Sequence, residues 1–240
     1  MRAIILAAGR GSRMKTLTAE QPKCLVEVGG KSLLNWQIDA IQGAGIEEIG
    51  IVTGYKRELL PLGKFTEFHN ADWSETNMVA SLCCAKEWLR AEPCIVSYSD
   101  IFYNADTIRL LVESIANIAI TFDPDWRKLW QKRFGNPLID AETFKLDTDG
   151  NIREIGNKPE NLNDVEGQYM GLLLFKPASW DVFERAWSNL EKRERRNIHM
   201  TAMLQRLIDN ENLNILALPY SGKWGEIDSQ EDLSVFNSLI

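Results

Sequence analysis

Unbroken apolar runs alternate with amphipathic stretches along the first half of the chain. Ala3 to Ala8 is apolar throughout and stops at Gly9, the pattern of a central parallel strand covered on both faces. A long polar loop follows, Gly9 to Gln21. Ser32 to Ala44 then reads as a helix, with Ser32 as N-cap, Leu34, Ile38 and Ile41 at helical spacing, and Gly43 and Gly45 near its end. Glu48 to Thr53 is a second strand, closed by Gly54. Thr76-Asn77 opens a helix through Val79, Leu82, Cys83 and Trp88, and Pro93 precedes the strand Cys94 to Ser99. A helix from Asp106 to Ala116 leads into the strand Ile118 to Phe122. This alternation predicts an α/β fold, a single Rossmann-like, doubly wound domain with a mostly parallel mixed sheet.

Beyond residue 122 the pattern changes. Phe144 to Ile155 holds two short runs around Asp149-Gly150, a hairpin signal. Tyr169 to Phe175 is an apolar strand, Trp180 to Leu190 and Met200 to Ile208 are helical, and Leu213 to Leu218 and Lys223 to Asp228 are strands. Ser229 with Asp232 opens a terminal helix through a capping-box-like pair. With no linker, repeat or low-complexity tract in view, one domain is expected over 1–240, with 123–240 an elaboration of the same sheet.

Composition narrows the function classes. A chain of 240 residues, 45% apolar, can fill a sizeable core. No apolar run approaches the roughly 20 residues of a membrane helix, and the first residues lack a signal-peptide layout, so a soluble cytoplasmic protein without a membrane partner is expected. A net charge of −7 argues against a nucleic-acid partner. Positive charge is nevertheless concentrated at the start: residues 1–31 sum to +4 and the remainder to −11. Cys24, Cys83, Cys84 and Cys94 show no CxxC spacing and read as free thiols. His69 and His199 are the only histidines and lie far apart, so any metal would be held by oxygen.

The basic segment surrounds a glycine turn, "LAAGRGSRM", at the carboxyl end of the first strand. Open α/β sheets bind ligands at that edge, and glycines let backbone N–H groups approach phosphate oxygens. The dinucleotide fingerprint fails because Met14 stands where its third glycine belongs, which disfavours a dehydrogenase, and no P-loop is present. Arg13 and Lys23, ten residues apart, could instead wrap a polyphosphate, the one through a planar fork and the other as a point charge.

The run "AIILAAGRGSRMKTLTAEQPKCLVEVGGKSLL" resembles the signature of the nucleoside-triphosphate transferase family, which includes sugar-1-phosphate nucleotidyltransferases and bacterial phosphocholine cytidylyltransferases. It departs at Thr16, Cys24 and Ser32, where the family commonly has proline, and none of these supplies a charged contact. The resemblance implies a GT-A-like nucleotidyltransferase fold in which a phosphomonoester oxygen attacks the α-phosphorus of a nucleoside triphosphate and releases pyrophosphate. Arg13 and Lys23 fall on the family's two cationic, catalytic positions. The backbone of Leu6, Ala7, Ala8, Gly9 and Gly11 would hold base and phosphates, with Asn77 and Ser99 as further nucleotide-side candidates. Two mutually repelling anions call for a cation, and the family's carboxylate positions read here as Asp100 and Asp228, a hard oxygen set suited to Mg²⁺. A GT-A glycosyltransferase would carry a DxD motif, and Asp100 has no second aspartate beside it.

In the second half, "DPDWRKLWQKRF", "DAETF", "EIGNKP" and "EGQYMGLLLF" look like the cytidylyltransferases that act on phosphocholine, 2-aminoethylphosphonate or phosphoglutamine. That favours CTP and a small phosphorylated acceptor. Trp126 and Trp130 share a helical face and could hold an ammonium, unless both pack in the core. Arg133, Glu154, Lys158, Tyr169 and Glu226 complete the acceptor candidates. A sugar-1-phosphate nucleotidyltransferase using UTP, dTTP or GTP and a non-catalytic nucleotide-sensing relative are the alternatives. The sequence leaves the oligomeric state open, a homodimer included.

Overall fold

The computed structural model describes residues 1–238, the side chain of Lys15 excepted. Seven strands form one sheet in the spatial order Leu216–Pro219, Ile118–Asp123, Gln168–Phe175, Cys94–Tyr98, Arg2–Ala7, Ile49–Thr53, Thr66–His69. All pair in parallel except Gln168–Phe175, which runs antiparallel to both neighbours. The expected mostly parallel mixed sheet is thus present. Side chains of successive strand residues point to opposite faces. Because Ala3 to Ala7 and Leu172 to Phe175 are buried without interruption, the sheet is covered on both sides. Leu33–Gly43 packs with Ala105–Val112, whereas Pro177–Ser188 packs with Lys86–Ala91 and Met200–Glu211.

Several boundaries differ from the sequence reading. The helix opened by Asn77 is two short ones, Met78–Cys83 and Lys86–Ala91, broken at Cys84-Ala85. The polar loop contains a 3-10 turn, Ser12–Thr18. The helix expected to reach Ala116 ends at Val112. Phe144–Leu146 and Ile152–Ile155 form the expected hairpin around Gly150, whose φ of +81° suits glycine, but they make a separate ribbon rather than joining the main sheet. Leu216–Pro219 does join it. Trp224–Glu226 instead pairs antiparallel with Ile101–Tyr103, in a second small ribbon.

That second ribbon positions the site. Glu226 lies opposite Ile101, and the Ile227 N–H donates to the Asp100 carbonyl at 2.9 Å. Residues far apart in sequence are thereby fixed side by side at the carboxyl edge of the central strands. The Ser229–Asp232 capping box, present as expected, fixes the start of the helix Gln230–Asn237 just beyond.

Phe175 anchors the antiparallel strand to its helix, its ring 5.7 Å from Trp180 and 5.3 Å from Phe183. Phe175→Ala should cost about 3–5 kcal/mol, because a fully buried ring leaves a cavity. Urea unfolding checks this; a loss under about 1 kcal/mol would mean the site collapses freely.

Candidate active site

Gly11 has φ +71°, and the Thr18 hydroxyl donates to its carbonyl at 2.9 Å, folding the loop back on itself. The Lys23 stem lies against the Gly11 α-carbon so closely that an added Cβ would stand 2.7 Å from Lys23 Cδ. Pro22, extended at φ −60°, precedes the 3-10 turn Lys23–Leu25 and delivers Lys23 into the site.

Lys23 Nζ donates to Asp100 Oδ2 at 2.8 Å and to Asp228 Oδ1 at 2.6 Å. Burial opposes the ammonium charge, yet the two carboxylates outweigh it and hold the Lys23 pKa above its usual value. Arg13 Nη2 reaches Asp228 Oδ1 at 2.9 Å, with its side chain 67% exposed. Burial alone would raise the Asp228 pKa, but Lys23 and Arg13 overcome this and hold it below the ordinary value. Glu226 moves the other way: burial, then the charge of Asp228, push it up to about 8.

One carboxylate oxygen each of Asp100, Glu226 and Asp228 lies within 4.8 Å of the others. Asp100 Oδ1 is buried with no hydrogen-bond partner among the described residues. A buried oxygen of this kind within a set of hard carboxylate donors fits a divalent cation.

Two cavities of about 290 Å³ each meet at this cluster and share Arg13, Met78, Tyr98 and Asp100 as walls. The first is bordered by Leu6, Ala8, Gly9, Gly11, Lys23, Asn77 and Ser99. Ala7, grouped with them from sequence, is buried in the strand and does not border it. Trp73, Thr76 and Ser81 also border it: Trp73 on the 3-10 turn Trp73–Glu75, Thr76 just beyond that turn, and Ser81 on the inner face of the helix Met78–Cys83.

The second cavity takes Trp130, Tyr169 and Glu226 from the acceptor candidates. The other four lie elsewhere. Trp126 is sealed in the core, edge-on to Trp130 at 6.1 Å, so the two rings do not form a cage. Arg133 is wholly enclosed. Glu154 pairs with Lys145 on the outer hairpin, and Lys158 donates to the carbonyls of Leu138 and Ile139. In their place stand Asp140, Glu142, Thr143, Gln168, His199 and Thr201. Asp140 to Thr143 lie in the "DAETF" run, a signal available in the sequence; His199 and Thr201 had none. Burial raises the pKa of both Asp140 and Glu142.

The model of the MobA-like NTP transferase domain matches residues 3–199. The CTP:phosphoglutamine cytidylyltransferase of Campylobacter jejuni is 40% identical, over 98% of each chain. Among solved structures, the CTP:phosphocholine cytidylyltransferase of Streptococcus pneumoniae superposes with a TM-score of 0.70 at 20% identity, over 99% of this chain and 98% of that one. The inositol-1-phosphate CTP transferase of T. maritima gives a TM-score of 0.75 at 19% identity, covering 99% and 94%. At such identities the two structures establish the fold alone, a mostly parallel mixed sheet with helices.

Gly11→Ala should displace Lys23, through both its positive φ and the 2.7 Å approach. The expected result is a loss of nucleotide affinity of about tenfold or more, by analogy with the removal of an outer-shell partner. Titration calorimetry with CTP checks it, and unchanged affinity would show that the Lys23 stem adapts.

Proposed function

The chain belongs to the MobA-like NTP transferase family, and on that footing we propose that it transfers a cytidylyl group from CTP to a small phosphomonoester or phosphonate, releasing pyrophosphate. The acceptor is of the phosphocholine, 2-aminoethylphosphonate or phosphoglutamine type. The observation that carries this reading is the meeting of two cavities at Asp100 and Arg13. One cavity has the glycine loop and Lys23 at its wall, and suits a triphosphate; the other has Asp140 and Glu142, and suits an acceptor bearing an ammonium.

The acceptor's phosphoryl oxygen is already anionic, so attack on the α-phosphorus needs no general base. What it needs is alignment and charge neutralisation. Nucleophile and leaving pyrophosphate lie roughly in line across the α-phosphorus. Entry of the acceptor from the second cavity leaves the pyrophosphate toward the glycine loop, where the Leu6 to Gly11 backbone and Ser12 receive it. Lys23, fixed by its stem, faces the α-phosphoryl group, while the exposed Arg13 can follow the departing charge. Asp100, Asp228 and Glu226 would hold Mg²⁺, which supplies charge neutralisation on the phosphoryl oxygens when bound. This reading treats 1–240 as one domain acting in the cytoplasm as monomer or homodimer, its first half mainly on nucleotide and 123–240 mainly on acceptor.

Purified protein with Mg²⁺, each nucleoside triphosphate in turn and a panel of phosphocholine, aminoethylphosphonate, phosphoglutamine and hexose 1-phosphates should release pyrophosphate with CTP and an amino-bearing acceptor. Turnover of a hexose 1-phosphate with UTP, dTTP or GTP instead would establish the sugar-nucleotide alternative. Silence with every pair would favour a nucleotide sensor. In the productive pair, Lys23→Ala and Asp100→Asn should each lower kcat by about 10²–10³, as loss of a transition-state electrostatic contact does. Excess EDTA should abolish turnover and added Mg²⁺ restore it; full activity in EDTA would refute the cation requirement.

A further inference from the structure

Arg133 was a candidate for the acceptor, yet its guanidinium is 0% exposed and borders neither cavity. It lies behind the carboxylate cluster. Nε donates to Asp232 Oδ1 at 2.8 Å and Nη2 to Asp232 Oδ2 at 3.3 Å, while Nη1 donates to Glu226 Oε2 at 3.0 Å. Nη2 also lies 3.8 Å from Asp228 Oδ2. The rings of Trp130 and Phe134, 5.0 and 4.8 Å from Arg133 Cζ, hold the group in place.

The other two cations of the cluster differ from it. Lys23 and Arg13 both take Asp228 Oδ1 and both border the nucleotide cavity, so a bound triphosphate competes for them. Arg133 approaches Asp228 from the Oδ2 side, out of reach of either ligand. It also acts on Asp228 a second way. Asp232 Oδ2 accepts from the backbone N–H groups of Asp228 and Ser229, each at 2.9 Å, so holding Asp232 holds the Asp228 backbone. A guanidinium is a rigid planar fork, so the two carboxylates hydrogen-bonded to it, Glu226 and Asp232, have their mutual angle set by it, and Asp228 is held at one remove through its ion pair and its backbone bond to Asp232.

We infer that Arg133 is a positioning residue for the cation-binding carboxylates: through Glu226, Asp228 and Asp232 it sets the geometry in which Glu226 and Asp228 converge with Asp100. This rests on the reading of that cluster as a divalent-cation site. Two opposite effects are at stake when Arg133 is replaced. Removing a positive charge near a cation site strengthens cation binding by Coulomb attraction, whereas removing the fork releases two carboxylates to separate. Arg133→Lys keeps the charge and removes only the fork, so it isolates geometry. Arg133→Met removes both.

The test is titration of the substrate-free protein with Mn²⁺, followed by electron paramagnetic resonance, with Asp228→Asn as control. Arg133→Lys should weaken Mn²⁺ binding about ten- to a hundredfold, the range for loss of an outer-shell partner, while its melting temperature in EDTA stays within a few degrees of the parent. Mn²⁺ affinity equal to or above the parent's would overturn the inference and leave Arg133 a purely structural ion pair. Should Arg133→Lys not fold, Asp232→Asn loosens the same grip on the Asp228 backbone and is read by the same criterion. If the parent binds no Mn²⁺, or Asp228→Asn binds it as well as the parent, the cation-site reading falls, and the role of Arg133 with it. If the parent binds and the fork variant binds equally, only the role of Arg133 falls.

Discussion

The buried ammonium of Lys23 between Asp100 and Asp228 is the contact on which the rest of the site depends. A lysine head group taken from water incurs a large desolvation penalty unless opposite charge stands beside it, and loss of one partner leaves the other charge stranded. Here the two carboxylates come from the end of a central strand and from a ribbon near the end of the chain. One side chain therefore ties the glycine loop, the central sheet and the terminal segment into a single unit, and Arg13 on Asp228 supplies the second positive charge. Lys23 holds Asp100 through Oδ2, which leaves Asp100 Oδ1 turned into the carboxylate cluster without a partner among the described residues.

The fold supplies this arrangement from two kinds of element. The central parallel strands bring the glycine loop and Asp100 to one edge by connectivity alone, since loops after parallel strands emerge on the same side. Glu226 and Asp228 need a different device. The antiparallel pairing of Trp224–Glu226 with Ile101–Tyr103 sets their register against Asp100, and Asp232 then fixes the backbone at Asp228. The antiparallel strand Gln168–Phe175 plays the corresponding part for the second cavity. It carries Gln168, Tyr169, Met170 and Gly171 to the cavity wall, and it lies between two strands that would otherwise be neighbours in a purely parallel sheet.

The sequence was most legible where chemistry and local structure coincide. An apolar strand ending in a glycine turn with Arg13 and Lys23 is a short-range pattern, and all but Ala7 of its nucleotide-side candidates border one cavity. Ala7 fails for a simple reason: on a strand alternate residues face opposite sides, and its neighbours Leu6 and Ala8 take the cavity side. For the acceptor the sequence offers only charged or aromatic residues near element ends, a criterion that says nothing about which elements converge. Glu154 and Lys158 meet it and lie on the outer hairpin and in the loop after it; His199 and Thr201 do not stand out and line the cavity. Trp126 and Trp130 share a helical face as their spacing requires, yet only the second borders the cavity, because the edge of the cavity crosses that face between them.

Arg133 shows why charge alone is a poor guide to ligand contact. In a strongly polar helix, "WRKLWQKRF", four basic residues are equivalent by sequence, and three of them, Arg127, Lys128 and Lys132, are exposed at the surface. The fourth is turned inward in the last helical turn, before Gly135 at φ +71° ends the helix. An arginine there is tolerable only because Asp232 and Glu226 are already waiting for it, and those acids are tolerable only because the arginine arrives. Mutual dependence of that kind links the helix that lends Trp130 to the second cavity with the segment that lends Glu226 and Asp228 to the carboxylate cluster. The Arg133 guanidinium thus lies between the Trp130 ring at the second cavity and the carboxylates of Glu226 and Asp228, in contact with the first and paired with the others.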